Sequence, residues 1–205
     1  MQDSAAEIDM AIPPKRKRKQ SQFLKAWVRS PLAMGSVVPS SRWLARAMAA
    51  QVDTTQEGVV IELGAGTGVV THELLHSGIP VKNLLVVERE PRLHGLLKAH
   101  YPAVNIVCTD ALHLNELLKE QGITKVNAIV SSLPLLSIPK EIRRAIVAQM
   151  AAAIGDEGRI IQFTYGPGSP ISRYSLEKNA LVGHRVKTVI ANVPPAHVWV
   201  YRGDL

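Results

Sequence analysis

A glycine-rich turn is the part of this chain in which residue type and spacing most directly suggest chemistry. Gly64, Gly66 and Gly68 follow the apolar run 59–63 and precede a segment with the pattern of a helix. Glycine permits positive φ and lets a ligand approach the main chain, while the first N–H groups of the helix point towards that ligand. The turn predicts a cradle for a nucleoside-bearing cofactor, although ordinary strand-to-helix turns also use glycine. A dinucleotide site is disfavoured, because its G-x-G-x-x-G pattern would place the third glycine at Val69.

Two carboxylates follow later apolar runs at positions that suit a nucleoside. Glu88 ends the second apolar run, residues 83–88, and lies 20 residues after Gly68. At about this offset, an acidic residue accepts hydrogen bonds from the hydroxyl groups of a ribose. Asp110 follows the third apolar run, residues 104–108. Simpler interpretations stay open for both residues: Glu88 as a solvated strand end, and Asp110 as the N-cap of the next helix.

A parallel sheet is needed to bring these residues together. Helix-like segments at 92–100 and 111–120 separate the apolar runs, and this alternation predicts an α/β fold with helices on both faces of the sheet. In such sheets, ligands bind beyond the carboxyl ends of the strands, where the strand order reverses. We expect further strands at 158–165, 181–191 and 197–201, the last two as an antiparallel pair.

Four motifs carry a resemblance to a known family. They are Glu62-x-Gly-x-Gly-x-Gly68, Val86-Val87-Glu88-Arg89-Glu90-Pro91, Thr109-Asp110-Ala111 and Ser131-Ser132-Leu133-Pro134. In this order they resemble the class I S-adenosylmethionine-dependent methyltransferases over residues 57–165. The resemblance implies a Rossmann-like fold, with a mostly parallel seven-stranded sheet, an antiparallel C-terminal strand and helices on both faces. It also implies S-adenosyl-L-methionine as the cofactor.

The same resemblance implies a set of cofactor contacts. Their implied places are Glu62 beneath the cofactor, Gly64, Gly66 and Gly68 along its methionine part, Glu88 on the ribose, Asp110 on the adenine amino group, and Ser131 at the start of the segment through Pro134 that faces the transferred methyl group.

Positive charge is concentrated near the N-terminus. Residues 1–50 contain nine Lys or Arg and three acidic residues, and so carry +6 of the formal charge of +7. Residues 1–20 are predicted to form a flexible basic tail. Its basic run consists of Lys15, Arg16, Lys17, Arg18 and Lys19.

An amphipathic helix is predicted directly after this tail. Phe23, Leu24 and Trp27 fall on one side of the helix expected over 21–30, with polar residues on the other. This pattern is typical of a segment that lies in a membrane interface, where each Lys or Arg contributes about 1 kcal/mol near anionic lipid. Two alternatives stay open: the apolar side packs on the protein itself, or the basic run binds nucleic acid. The predicted organisation is a tail (1–20), membrane-associating and capping helices (21–52), and a methyltransferase domain (53–205).

Composition favours one domain with additions. A chain of 205 residues with 46% hydrophobic content can bury a full core. The single cysteine, Cys108, excludes an intramolecular disulfide, and its place in the third run predicts a buried side chain. No apolar run is long enough to span a membrane, no secretory signal is visible, and the histidines lack the spacing of metal ligands. We therefore expect a cytoplasmic protein without a metal site, peripherally associated with the inner face of the cell membrane.

A second resemblance concerns the acceptor. It is carried by the segments 23–29, 31–41, 131–139 and 165–170, which look like those of the bacterial phospholipid N-methyltransferases of the soluble type. This resemblance extends from about Phe23 to the C-terminus. It implies phosphatidylethanolamine as the acceptor, methylated stepwise to phosphatidylcholine on the cytoplasmic face of the membrane.

The close alternative is an RNA adenine N6-dimethyltransferase, whose corresponding motif reads Asn-Leu-Pro followed by an aromatic residue. That aromatic ring stacks on the flipped base. This chain has Ser132-Leu133-Pro134-Leu135, and Leu135 offers no ring. The expected partners are therefore a phospholipid substrate and an anionic membrane surface rather than nucleic acid. A membrane-binding scaffold without activity is the third possibility.

Methyl transfer to an amine requires groups that hold the nitrogen and accept its protons. The nitrogen must lie about 3 Å from the methyl carbon with its lone pair available. Our candidates for this positioning are the hydroxyl group of Ser132, the backbone carbonyl of Pro134 and the side chain of Tyr165. The ring of Tyr165 also suits a methylated cation. The alternative for Tyr165 is an ordinary loop residue packed beside Pro167.

Overall fold

The computed structural model describes residues 41–204. The predicted tail and the predicted membrane-binding residues between Lys15 and Trp27 lie outside the described residues. The described helices are α1 (Arg42–Ala49), α2 (Val69–His76), α3 (Pro91–His100), α4 (Leu114–Glu120), α5 (Lys140–Ile154) and α6 (Arg173–Lys178). The strands are β1 (Val59–Leu63), β2 (Leu84–Val87), β3 (Asn105–Val107), β4 (Val126–Ser131), β5 (Arg159–Thr164), β6 (Leu181–Val189) and β7 (Ala196–Gly203).

The strands form one seven-stranded sheet in the order β3-β2-β1-β4-β5-β7-β6. The first five strands are parallel, while β7 runs antiparallel to both β5 and β6. The predicted Rossmann-like sheet with an antiparallel C-terminal strand is thereby confirmed. Because β1 lies between β2 and β4, the strand order reverses at β1, and the crevice beyond its carboxyl end is the expected ligand site.

Helices cover both faces of the sheet. Strand residues alternate between the two faces, so that Val60 joins the apolar cluster under α1, α2 and α3, while Ile61 joins the cluster under α4 and α5. The central strands β2 and β4 are buried along their whole length, as expected of parallel strands covered on both sides. Each face therefore has its own apolar core, and both cores help to position the carboxyl ends of the strands.

Helix α1 lies within the segment 21–52, for which the sequence predicts helices, and ends three residues before the end of that segment. Ser41 is its N-cap, and the Ser41 hydroxyl accepts a hydrogen bond from the N–H group of Leu44 at 3.3 Å. Leu44 and Met48 are fully buried against the sheet, and the helix ends at Ala49. Among the helices described, none is long and apolar enough to cross a membrane.

The prediction that Cys108 is buried is wrong. Cys108 is exposed, and its thiol lies 3.8 Å from the carbonyl oxygen of Arg89. The reason is that β3 has only three residues, ends at Val107, and lies at the edge of the sheet.

Candidate functional site

The glycine turn has the backbone conformation that the sequence predicts. Gly64, Gly66 and Gly68 have φ values of 74°, 57° and 84°. A Cβ atom at Gly64 would lie 2.8 Å from the side chain of Leu133, and one at Gly68 would lie 2.9 Å from that of Leu97. At Gly66, however, no atom of residues 41–204 lies within 4 Å of the corresponding position. Local packing thus accounts for two of the glycines, while Gly66 borders open space where a ligand can approach the main chain.

Glu88 connects the glycine turn to the end of β2. The side chain is only 7% exposed. Its Oε2 accepts a hydrogen bond from the N–H group of Gly66 at 2.8 Å, and its Oε1 accepts one from the N–H group of Glu90 at 2.9 Å. A carboxylate oxygen can accept more than one hydrogen bond. Glu88 therefore fixes the turn and retains capacity for a hydroxyl group of a ligand, so that its role on the ribose stays a prediction.

Asp110 lies beyond the end of the neighbouring strand β3. Its Oδ1 accepts a hydrogen bond from the N–H group of Leu112 at 3.1 Å, which makes it the N-cap of a short 3₁₀ helix, and its Oδ2 accepts one from Arg89 at 2.8 Å. The simpler interpretation of Asp110 as a cap is therefore correct. A contact with adenine is compatible with it and stays a prediction.

Glu62 is buried beneath the turn with one oxygen unpaired. Its side chain is 0% exposed, and Oε2 accepts a hydrogen bond from the Thr71 hydroxyl at 2.6 Å. The other oxygen, Oε1, has no hydrogen-bond partner among the described residues. Burial raises the pKa of Glu62 to about 8, the nearby charge of Glu88 acts in the same direction, and the bond from Thr71 opposes the rise. The carboxyl group is therefore largely protonated at neutral pH.

The segment after β4 packs against the glycine turn. Ser131 is fully buried, and its hydroxyl accepts a hydrogen bond from the N–H group of Leu133 at 3.4 Å. The N–H group of Ser132 donates to the carbonyl oxygen of Leu63 at 2.9 Å, while the buried Ser132 Oγ has no hydrogen-bond partner among the described residues. The carbonyl oxygen of Pro134 accepts from the N–H group of Ser137 at 2.9 Å. The predicted acceptor segment and the predicted cofactor turn are thus in direct contact.

Gln162 holds this segment from the neighbouring strand, and the sequence reasoning missed it. It is fully buried on β5 opposite Ser131. Its Nε2 donates to the carbonyl oxygens of Leu133 at 2.9 Å and of Phe163 at 3.0 Å, while Oε1 is unpaired within the described range. The available signal was a glutamine within the otherwise apolar run Ile160 to Phe163.

Tyr165 lies just beyond the carboxyl end of β5. It is partly buried, and its ring meets that of Phe163 edge to face at a centroid distance of 5.4 Å. Burial raises the pKa of Tyr165, and a hydrogen bond with the side chain of Asn192 opposes the rise. Asn192, from the turn between β6 and β7, is a second residue that the sequence reasoning missed. The position of Tyr165 at the carboxyl edge agrees with an acceptor role, which stays a prediction.

Metal ligands do not cluster in the described part of the chain. Within residues 41–204, no group of three or more His, Cys, Asp or Glu residues is arranged to hold a metal ion. The chemistry available at this edge of the sheet is that of carboxylates, hydroxyl groups, amides and backbone groups.

The sequence is similar to those of a lipid N-methyltransferase and of an RNA methyltransferase, and no protein-family model matches the chain. The ornithine lipid N-methyltransferase of Singulisphaera acidiphila is 30% identical over 187 residues, which cover 88% of this chain and 94% of that protein. The ribosomal RNA small subunit methyltransferase A of Thermotoga petrophila is 31% identical over 120 residues, which cover 57% of this chain and 43% of that protein.

Two solved structures share the architecture of this chain. The 1,6-didemethyltoxoflavin-N1-methyltransferase of Burkholderia thailandensis, with bound S-adenosylhomocysteine, has a TM-score of 0.64 at 15% identity and covers 95% of this chain and 94% of its own. The magnesium protoporphyrin IX methyltransferase of Synechocystis PCC 6803, with bound SAM, has a TM-score of 0.62 at 12% identity and covers 96% of this chain and 100% of its own. At these identities the likeness establishes the fold.

Proposed function

Because the chain belongs to the class I S-adenosylmethionine-dependent methyltransferases, we propose that it transfers methyl groups to the amine of a membrane lipid. Phosphatidylethanolamine is the proposed acceptor, methylated stepwise towards phosphatidylcholine at the membrane surface. Ornithine lipid is the second candidate, because the relative that matches 88% of this chain is an ornithine lipid N-methyltransferase.

The extent of the match to the lipid enzyme is the observation that carries this proposal. The lipid N-methyltransferase matches this chain over 94% of its own length, whereas the RNA methyltransferase matches over 43% of its own. The segment after β4 also favours a lipid. Leu135, which stands where an RNA enzyme has a base-stacking ring, is aliphatic and only 1% exposed. The chain therefore has no stacking surface at that position.

The residues around the glycine turn fit S-adenosylmethionine. Gly66 borders open space, Glu62 Oε1 is buried without a partner in the described range, and the carboxylate of Glu88 lies at the edge of the same turn. We assign Gly64, Gly66 and Gly68 to the methionine part of the cofactor, Glu88 to the ribose and Asp110 to the adenine. When bound, S-adenosylmethionine supplies an electrophilic methyl group on sulfur.

The acceptor nitrogen needs a positioning group and a hydrogen-bond acceptor for its N–H group, so that its lone pair faces the methyl carbon. The hydroxyl group of Ser132 is suited to the first task, because its oxygen is buried and unpaired among the described residues. The carbonyl oxygen of Pro134 accepts one hydrogen bond, from Ser137, and keeps a second lone pair for an amine N–H. The ring of Tyr165 offers a face to the cationic product.

A methyl-transfer assay with competing acceptors tests this proposal. The full chain is given S-adenosylmethionine with a labelled methyl group and one of three acceptors: phosphatidylethanolamine vesicles, ornithine lipid vesicles or ribosomal RNA. We expect label in phosphatidylethanolamine, and excess S-adenosylhomocysteine should suppress it. Label in ornithine lipid alone would show that ornithine lipid, and not phosphatidylethanolamine, is the acceptor. Label in RNA alone would refute the lipid function. Label in none of the three would favour a membrane-binding scaffold without activity.

A matched pair of variants tests the assignment of Ser132. Ser132→Ala should lower kcat/KM for the lipid by about tenfold, because it removes a hydrogen bond to the reacting amine. Ser137→Ala changes an exposed serine five residues later in the same segment and should leave kcat/KM unchanged. Equal activity of both variants would exclude a positioning role for Ser132.

A further inference from the structure

The turn between β6 and β7 lies at the same edge of the sheet as the candidate site. Thr164, the last residue of β5, pairs with His197 near the start of β7, and Val189, the last residue of β6, pairs with Ala196. Residues 190–195 therefore extend beyond the carboxyl ends of the parallel strands. They lie on the side of β5, where Tyr165 is found.

This turn exposes aliphatic side chains to solvent. Ile190 and Val193 are each 78% exposed, more than any other large apolar residue in the described range. Leu136, in the segment after β4, is 55% exposed, and a Cβ atom on Gly166 would lie 3.4 Å from its Cδ1 atom. Leu136 is therefore beside the residue that follows Tyr165. We call Leu136, Ile190 and Val193 the apolar rim.

Asn192 anchors the turn from inside. It is 1% exposed, its Nδ2 donates to the carbonyl oxygen of Pro194 at 2.7 Å, and its Oδ1 accepts from the backbone N–H group of Ser41 at 3.2 Å. Its side chain also bonds Tyr165. The exposure of Ile190 and Val193 therefore belongs to a turn that is tied to the body of the protein and to the candidate site.

The hairpin that carries this turn is positively charged. Residues 181–203 include three Lys or Arg, two His and no Asp or Glu. Arg185 and Lys187 are exposed, and neither forms an ion pair with another residue of the range 41–204. Exposed aliphatic side chains next to unpaired cations complement a lipid surface, which offers apolar chains below a layer of phosphate.

We propose that the apolar rim and the cations of the hairpin dock the catalytic edge of the protein on an anionic lipid bilayer. This inference rests on the proposed function, because a lipid amine stays at the bilayer surface and the edge that carries Tyr165 has to reach it. Insertion of Ile190 and Val193 at the acyl boundary removes their exposed apolar surface from water. The apolar rim and the cations Arg185 and Lys187 together form what we call the docking edge. It acts in addition to the predicted N-terminal segment and sets the orientation of the site.

Sedimentation of the full chain with vesicles of phosphatidylglycerol and phosphatidylethanolamine tests the docking edge. The rim variant carries Ile190→Ser and Val193→Ser. The matched control carries Val81→Ser and Val182→Ser, two valines that are 40% and 49% exposed near the opposite, amino edge of the sheet. The rim variant should lose about tenfold in partition coefficient, and the control should change by less than about twofold.

A variant without one hairpin cation tests the electrostatic contribution to the proposed membrane docking. Lys187→Ala should lower the partition coefficient about fivefold on the anionic vesicles and leave the weaker binding to phosphatidylcholine vesicles unchanged. Every variant should bind S-adenosylhomocysteine like the wild type, which shows that the fold and the cofactor site are intact.

Failure of the docking edge and failure of the proposed function give different results. A rim variant that sediments like the wild type, or a control that loses as much as the rim variant, overturns the docking edge. Wild-type protein that sediments through the rim but methylates no lipid refutes the proposed function and leaves the docking edge standing. Wild-type protein that methylates detergent-dispersed lipid but never sediments with vesicles refutes the docking edge alone.

Discussion

Replacing Glu62 with glutamine should make the stability of the fold less dependent on pH. Burial raises the pKa of the Glu62 carboxyl group from an ordinary value of 4.5 to about 8. Between these two values the native state keeps a proton that the unfolded state has lost. The free energy of unfolding of the wild type therefore falls as the pH rises through this window, and the loss is complete above the native pKa.

The size of this effect follows from the shift. Each pH unit inside the window changes the free energy of unfolding by about 1.4 kcal/mol, so that about 4 kcal/mol is lost between about pH 5 and pH 8. Glu62→Gln has no titratable proton, and its amide oxygen can still accept the hydrogen bond that Thr71 donates to Oε2 at 2.6 Å. The free energy of unfolding of the variant should therefore increase relative to that of the wild type as the pH rises.

Glu73→Gln is a matched control, because the pKa of Glu73 is shifted in the opposite direction to that of Glu62. Glu73 is also buried, but its carboxylate contacts Arg46 at 2.9 Å and Arg42 at 3.5 Å. Burial alone would raise the pKa of Glu73, yet the hydrogen bonds and charge of Arg46, together with bonds to His72 and Arg42, lower it overall. This stabilisation is present above the ordinary pKa and is lost as the pH falls through the lowered value. Glu73→Gln should therefore be less stable than the wild type at neutral pH, and the gap should close in acid.

Urea unfolding of the three proteins across the pH range, followed by far-ultraviolet circular dichroism, measures these differences. The difference between Glu62→Gln and the wild type should widen from pH 5 to pH 8. That between Glu73→Gln and the wild type should stay constant over this range and shrink as the pH falls below the ordinary value of 4.5. A constant difference for Glu62→Gln would show that Glu62 is ionised in the native protein, and the reasoning from burial would be wrong.

Three further predictions concern the site and the membrane. Glu88→Ala should weaken S-adenosylhomocysteine binding in calorimetry by about tenfold or more. Asp110→Ala should weaken it less, because the Asp110 carboxylate is already engaged by Leu112 and Arg89, and unchanged titrations for both would show a wrong assignment. Gln162→Leu should lower kcat for the lipid by about tenfold with little change in cofactor affinity, because it removes the hydrogen bond that holds the carbonyl group of Leu133. Gln162→Glu should not restore kcat fully, because it lacks the amide N–H donor. Removal of residues 1–30 should reduce vesicle sedimentation and spare cofactor affinity, and identical sedimentation before and after would refute the N-terminal anchor.

The fold was predictable because most of its strands are recognisable in the sequence as short apolar runs. The runs at β1, β2 and β4 are mostly apolar, with Glu62, Asn127 and Ser131 as the polar exceptions, and such runs are typical of strands covered on both faces. The glycine turn and Glu88 were predictable for a related reason, because the chain must turn sharply after β1 and the next strand ends beside it. The residues that identify each strand, and those that join the glycine turn to Glu88, lie within about 25 positions of one another in the sequence.

The contacts missed from the sequence join distant residues. Gln162 reaches Leu133 across 29 residues, and Asn192 reaches Ser41 across 151 residues. No periodicity identifies the partner of such a side chain, since the partner depends on how the strands are ordered in the sheet. Helix α6 was missed for a different reason: it has six residues, too few for a helical period to stand out, although Ser172 caps it.

Three unpaired polar atoms surround the point where the strand order reverses. Glu62 Oε1 lies on β1, Ser132 Oγ just after β4, and Gln162 Oε1 on β5, and all three are buried without partners among the described residues. A buried polar atom without a hydrogen bond costs about 1 to 3 kcal/mol. Asn127 and Arg159 also have unpaired atoms, at the amino ends of their strands, and Arg144 on α5 and Trp199 on β7 have one each. The cost at the carboxyl ends is offset if bound cofactor and amine complete these three hydrogen bonds, so ligand binding should stabilise the fold more than contact area alone suggests.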